Sequence, residues 1–282
     1  MTAVARAAPR RSPSRRVLLD RLLLYGAATF LALWTLVPIY LIAVAAFSER
    51  GAVYDYPKEL LPTRFSTDTM AFFVGSSGVI SSVKNSVIVA LGTIVLSLVI
   101  GAPAGYALSR FRFPGRDVFQ LAVLSSKMFP MAILAIPLAV TFIGLGLYDT
   151  LLGVVIVHSA MVLPFVVIVT AGVFASVSRE LEEAAQTLGT SRLGAFLRVA
   201  LPLALPGLAA AAIFAFVTSW NEVFAATILT LRERTLPAHV VASLNQSPLY
   251  FKFAGGFFLI IPSLFFIYFM RKYLFNLWGP GK

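Results

Sequence analysis

Cysteine is absent from the 282 residues, and histidine occurs only twice, at His158 and His239. Without thiols there is no disulfide framework and no thiolate metal site, and two widely spaced imidazoles do not make a His-based one. Charge is also scarce. Only 12% of residues are Asp, Glu, Lys or Arg, about half the ~25% of an average soluble domain, which is too little to wet the surface of an ordinary globular enzyme. No Gly-x-x-x-x-Gly-Lys-[Ser/Thr] stretch occurs, so the chain does not cradle a nucleotide through a P-loop. The small acidic complement, 12 Asp+Glu against 23 Lys+Arg, leaves a formal charge of +11. In a soluble chain that excess would suggest nucleic acid. Here the basic residues collect between apolar runs, as they do in cytoplasmic loops of membrane proteins, and no nucleic-acid partner is expected.

What fills the chain instead is apolar surface: 59% of residues are hydrophobic and the mean hydropathy is +0.88. Six runs stand out, at Leu22–Phe47, Ser86–Ser109, Val118–Ile143, Leu151–Val177, Leu203–Leu231 and Phe253–Met270. A hydrocarbon core of ~30 Å is crossed by about 20 helical residues, and a longer run can tilt. The runs are continuous, whereas barrel strands alternate over about ten residues. The fold class is therefore an all-α membrane protein with six transmembrane helices. Every run carries proline (Pro38, Pro103, Pro130 with Pro137, Pro164, Pro206, Pro262), which predicts kinks that neighbouring helices must re-satisfy.

Lys and Arg set the orientation. With the N-terminus inside, 15 fall on inner segments, seven on outer ones, and Lys127 lies within a run. This predicts that both termini are cytoplasmic, with Arg232 and Arg234 running against the trend. The first run is too long for a 7–15-residue signal h-region and is expected to stay as a helix. The expected organisation is a disordered basic tail over 1–16, then a first transmembrane helix and external loop over 17–81. A main transmembrane domain follows over 82–273 with a long inner loop at 176–202, and a cytoplasmic tail at 274–282. The outer stretch Ser48–Ser82 reads as a loop with one short helix.

The inner loop Ser176–Pro202 is unlike the others. Ser178 followed by Glu180, Glu182 and Glu183 is a helix start. Gly189 interrupts it, and a second helical stretch over Ser191–Ala200 shows Leu193, Phe196, Leu197 and Ala200 at helical spacing. Two short helices hinged at a glycine make a platform whose apolar edge suits either a protein partner or the membrane surface; the pattern alone leaves both open.

The loop resembles a known motif. Glu183-Ala184-Ala185, then Gly189, then Val199 and Leu201-Pro202 is similar to the EAA loop of permease subunits of bacterial ABC importers, with valine where isoleucine is common. Further elements resemble the maltose-type carbohydrate permeases: Tyr106-Ala107-Leu108-Ser109-Arg110 with Phe113-Pro114-Gly115, Lys127-Met128-Phe129-Pro130, and Ser219-Trp220-Asn221-Glu222. The resemblance implies a type I ABC importer transmembrane domain in the bacterial inner membrane, importing a sugar, oligosaccharide or polyol. It implies as partners a second, different permease subunit, two cytoplasmic ATPase subunits that bind the ATP, an extracytoplasmic solute-binding protein and membrane lipid. The chain itself would be no enzyme and hold no cofactor or metal. Glu183, Ala184, Ala185, Gly189, Phe196, Leu197, Leu201 and Pro202 would form the ATPase-coupling loop, and the tail Leu277–Lys282 would either reach between the ATPases or fray.

Three polar residues within the apolar runs are candidates for the substrate path. Lys127 lies nine residues into its run, about 14 Å along a helix, where a charge usually faces a cavity or a partner. Asn221 and Glu222 lie in the fifth run. The pair His158-Ser159 is not a protease dyad, since adjacent helical residues do not face each other. A self-sufficient secondary transporter or channel is the competing class; it would need no long coupling loop, and no internal repeat of the kind many carry is visible.

Overall fold

The computed structural model describes residues 15–277 apart from 59, 62, 63 and 245. The expected tail over 1–16 thus lies outside the described residues but for Arg15 and Arg16, which open the first helix. Residues 278–282 of the C-terminal tail also lie outside them.

Five helices are long and apolar enough to cross a membrane, and a sharply bent pair supplies a sixth crossing if its two limbs count as one. Among the described residues there is no strand. The first helix, α1 (Arg15–Ala46), is exposed along most of its length, with Leu22, Leu23 and Trp34 pointing away from the protein. Its inner side rests on the last helix. The stretch after α1 contains one short helix, α2 (Asp68–Gly75), whose Phe73 is fully buried against Phe251 and Phe258.

The centre of the bundle is a close pair, α3 (Val79–Arg110) and α6 (Leu151–Ser176). Lipid tails are as apolar as leucine, so contact between such helices relies on packing, and small residues let backbones approach. Gly101 and Gly105 do this here: a Cβ on Gly105 would overlap Thr170 Oγ1, and one on Gly101 would overlap Val166. The Thr170 hydroxyl then donates to the Gly101 carbonyl at 2.9 Å.

The third run departs from expectation. Instead of one helix over Val118–Ile143, the chain forms α4 (Arg116–Ser125), a 3₁₀ turn over Ser126–Met128, and α5 (Met131–Gly144). The two limbs meet at 91°. Pro130 is the cause, because proline disfavours the helical region for the residue before it; Phe129 is extended, with ψ 118°. Lys127 therefore sits in a turn at the break and not within a continuous helix.

The loop over 176–202 carries α7 (Arg179–Thr187) and α8 (Arg192–Ala195), which passes through a π turn at Phe196–Ala200 into α9 (Leu201–Trp220). The fifth run was expected to continue to Leu231, but α9 stops at Trp220, and a short α10 (Phe224–Leu229) follows. Asn221 and Glu222 thus occupy a break past the end of a span. A further short helix, α11 (Leu236–Ser243), precedes α12 (Leu249–Leu277). This last helix is longer than the apolar run and takes in residues 274–277. It packs on α9 and α1, with Phe216 and Phe266 stacked at 3.9 Å.

Candidate functional site

The platform is built onto the end of α3. Ser178 caps α7 by accepting the Glu180 N–H at 3.3 Å, and Glu182, one turn in, points back into the bundle. Arg110 and Glu182 form a buried ion pair with Nη2–Oε1 2.6 Å and Nε–Oε1 2.8 Å. The Tyr106 hydroxyl donates to the other carboxylate oxygen. Tyr106 and Arg110 are four residues apart, so both reach from one face of α3. Arg110 also donates to the Val177 carbonyl at 2.8 Å, and Arg179 to the Ser109 carbonyl at 2.8 Å. Each buried polar group at this junction finds its partner across the join, so α7 is fixed to α3 rather than hanging from it.

Gly189 ends α7 in a left-handed conformation, φ +90°. The Gly189 N–H donates to Gln186 O at 2.9 Å and the Thr190 N–H to Ala185 O at 3.1 Å, closing the terminal carbonyls. A Cβ at Gly189 would meet nothing within 4 Å, so glycine serves the backbone angle, not the space. Ser191 then caps α8, accepting the Gly194 N–H at 3.1 Å.

These contacts sort the loop residues expected from sequence. Glu183 and Ala184 are exposed, Ala185 is half-buried, and Glu183 offers only its carbonyl to the chain, to Thr187 Oγ1. Phe196 is buried: its ring lies 4.5 Å from Tyr106 and 5.8 Å from Phe174. It belongs to the foundation and not to the outer face, because the π turn swings it inward. Leu197 is exposed and lines an apolar groove with Leu201, Leu205 and α3, while Pro202 sits exposed in the first turn of α9. The outer face is carried by Leu181, Leu188 (88% exposed) and Leu193 (67% exposed). Sequence reasoning missed Glu182 and Arg110 as a pair; the signal was the Tyr106/Arg110 spacing opposite three glutamates within four residues, Glu180, Glu182 and Glu183.

A second polar cluster lies inside the bundle. The His158 ring, essentially inaccessible, is held between the Ser219 hydroxyl (Nδ1···Oγ 2.8 Å) and Glu222 (Nε2···Oε2 3.0 Å). Ser219 donates in turn to Thr93 at 3.3 Å. Glu222 also accepts the N–H groups of Ala225 (2.9 Å) and Ala226 (3.0 Å), which caps α10. Its oxygens are thus taken up by the chain itself. Asn221 bonds only back to Val217 O at 2.8 Å and is exposed. Neither meets Lys127, which lines a separate cavity of about 640 Å³ between the α4–α5 break and α6.

The Binding-protein-dependent transport system inner membrane component family matches residues 97–276, a stretch that includes the platform, His158 with Ser219 and Glu222, and Lys127. The chain belongs to this family. It is a transport permease, a multi-pass protein of the inner membrane. Its relatives include the diacetylchitobiose uptake permease DasC of Streptomyces coelicolor, 31% identical over 74% of this chain and 75% of that one. The trehalose transport permease SugB of Mycobacterium tuberculosis is 29% identical over 85% of this chain and 89% of that one. Among solved structures, a subunit of a bacterial ABC transporter that imports the acidic polysaccharide alginate is 26% identical, covers 94% of this chain and 99% of its own, and gives a TM-score of 0.71.

At the end of the permease opposite the platform, Asp149 ties two loops together. It is a non-glycine residue at φ +57°, and one carboxylate oxygen accepts three successive N–H groups, from Leu231 (2.8 Å), Arg232 (2.9 Å) and Glu233 (3.1 Å). Partial burial acts to raise this carboxyl, but those three N–H groups and the Arg232 charge outweigh it and hold it below the usual carboxylate range. Asn85 fastens the same loop from α3, donating to Glu233 and to the Arg234 carbonyl at 3.2 Å each.

Proposed function

We propose that this permease is one of two different membrane subunits of an ATP-driven importer for a sugar, oligosaccharide or polyol, coupled through the α7–α8 platform to two cytoplasmic ATPase subunits. The observation that carries the coupling role is the construction of the platform: buried ion pairing fixes it to α3, yet Leu181, Leu188, Leu193 and Glu183 on it are all exposed. A rigid mount with an unpartnered apolar face suits transmission of force from a docked protein. Both termini are then cytoplasmic, with the Asp149 anchor outside, where a solute-binding protein would deliver the substrate. The sequence carries no P-loop stretch, and in this reading ATP binds on the partners. The carbohydrate class rests on the names of the relatives, a diacetylchitobiose and a trehalose permease. Glu222, engaged by His158 and α10, acts as scaffold, and Lys127 is the path residue.

The test is recovery of the complex. Leu188→Asp with Leu193→Asp should leave the permease in the membrane and abolish co-purification of the ATPases, since charge on the centre of a docking face costs several kcal/mol. Unchanged recovery with wild-type substrate-stimulated hydrolysis would overturn the docking assignment.

A further inference from the structure

The cavity beside Lys127 is built for more than packing. Its volume, about 640 Å³, falls in the range of small-molecule sites, roughly 300–1,000 Å³. It lies where α4–α5 is broken and where Met161 and Pro164 mark the middle of α6. Discontinuous helices near the midplane recur at transporter substrate sites, because a break frees backbone and side chains to face a cavity. Phe129 and Phe142 supply flat apolar walls, and Ser126 and Thr141 supply hydroxyls.

Charge decides the class of occupant. Lys127 Nζ has no hydrogen-bond or ion-pair partner among the described residues, and none of the residues lining the cavity is Asp or Glu. Lys127 is exposed where it lines the cavity, and a cation within a membrane span that lacks a counter-charge is costly, so an occupant that brings a negative charge is favoured over a neutral one of the same shape. On the reading that the permease imports carbohydrate, we infer that this cavity is a substrate subsite selective for a carboxylate-bearing sugar, with Lys127 pairing the carboxylate and the Phe129 and Phe142 rings covering the apolar faces of the sugar.

The absence of native cysteine makes the site directly readable. Thr141→Cys places a thiol in the cavity wall, and its rate of modification by a thiosulfonate reagent is measured on the permease complex in phosphatidylcholine nanodiscs. The probes are cellobiose and the diuronate that differs from it only in carrying carboxylate for CH2OH at both C6 positions. Millimolar diuronate should slow labelling about tenfold, the lower end of what a one-sign cleft achieves, while cellobiose changes it less than about twofold. Lys127→Met, similar in length, should remove the difference. Equal slowing by both sugars, slowing by neither, or diuronate protection that persists in Lys127→Met would overturn the assignment. So would protection without sugar that appears only when phosphatidylglycerol is added, which would make the cavity a lipid headgroup site. Loss of the second permease subunit on Lys127→Met would do the same by making Lys127 an interface residue. ATPase recovery is scored on the same preparation, so failure of the importer reading shows as missing subunits and failure of the subsite as unchanged labelling.

Discussion

Glu182 and Glu183 are neighbours with opposite fates, because successive residues on a helix point about 100° apart. Glu182 turns into the α3 junction and Glu183 turns out. Removing one member of a buried ion pair leaves the other charge unsatisfied, at about 3–5 kcal/mol. Glu182→Ala should therefore lower the thermal midpoint of the purified permease sharply, whereas Glu183→Ala at an exposed site should change stability by no more than ~0.5 kcal/mol and act on coupling alone. A comparable midpoint loss in both variants would contradict the arrangement. Gly189→Ala places a side chain at φ +90° and should cost about 1–2 kcal/mol, with no compensating clash to relieve. At the other end, the Asp149 carboxyl is held below its usual range, so its contribution is present above the unfolded value near ~3.9 and lost as pH falls through the lower folded one. Acidification below about pH 4 should loosen the 231–233 loop, read as faster labelling of a cysteine at Arg232. Asp149→Ala should be loose at every pH and lack that acid-dependent step.

At the level of elements, two breaks decide where the polar groups go. Pro130 stops a helix that composition alone would carry through, and it leaves Lys127 at a cavity instead of inside a rod. The stop after Trp220 has no proline. There Glu222 takes the N–H groups of Ala225 and Ala226, which offers the backbone a fresh start as α10, and it anchors the turn to α6 through His158. Glu222→Ala would strand His158 Nε2 and two buried N–H groups together. Each such group costs about 1–3 kcal/mol, so a loss of ~2–4 kcal/mol in unfolding stability is expected even after local relaxation. Glu222→Gln keeps an acceptor and should recover part of that loss. Equal stability of Glu222→Ala and the wild type in denaturant or thermal melts would remove the cluster from its structural role.

For the whole molecule, orientation is read by one labelling experiment. With the platform inside, a cysteine at Ser191 should react with an impermeant reagent only after permeabilisation, and one at Arg234 should react from outside. The reverse pattern would place the platform away from ATP. The Arg232–Arg234 stretch, against the charge trend in sequence, lies in space with Asp149 and Asn85 at the end remote from the platform, so it follows the fold and not the count of basic residues.

Much of this architecture is written in composition and spacing. Apolar runs of spanning length and a capped, glycine-hinged loop follow from local rules: helix length against hydrocarbon thickness, capping chemistry and the left-handed preference of glycine. The Ser178 cap and the helix stop at Gly189 are legible for that reason, since each is set by its neighbours in the chain. The partners of Arg110, His158 and Asp149 were not. Their partners lie 72, 64 and 82 residues away, and hydropathy is blind to them because a paired charge and a lone one score alike. Packing of α6 on α3, and of α9 and α10 on α6, brings those distant residues within hydrogen-bond reach. Burial then makes an unmade bond too costly to leave, so only the packed bundle decides that Glu222 holds a helix while Lys127 is left facing a cavity.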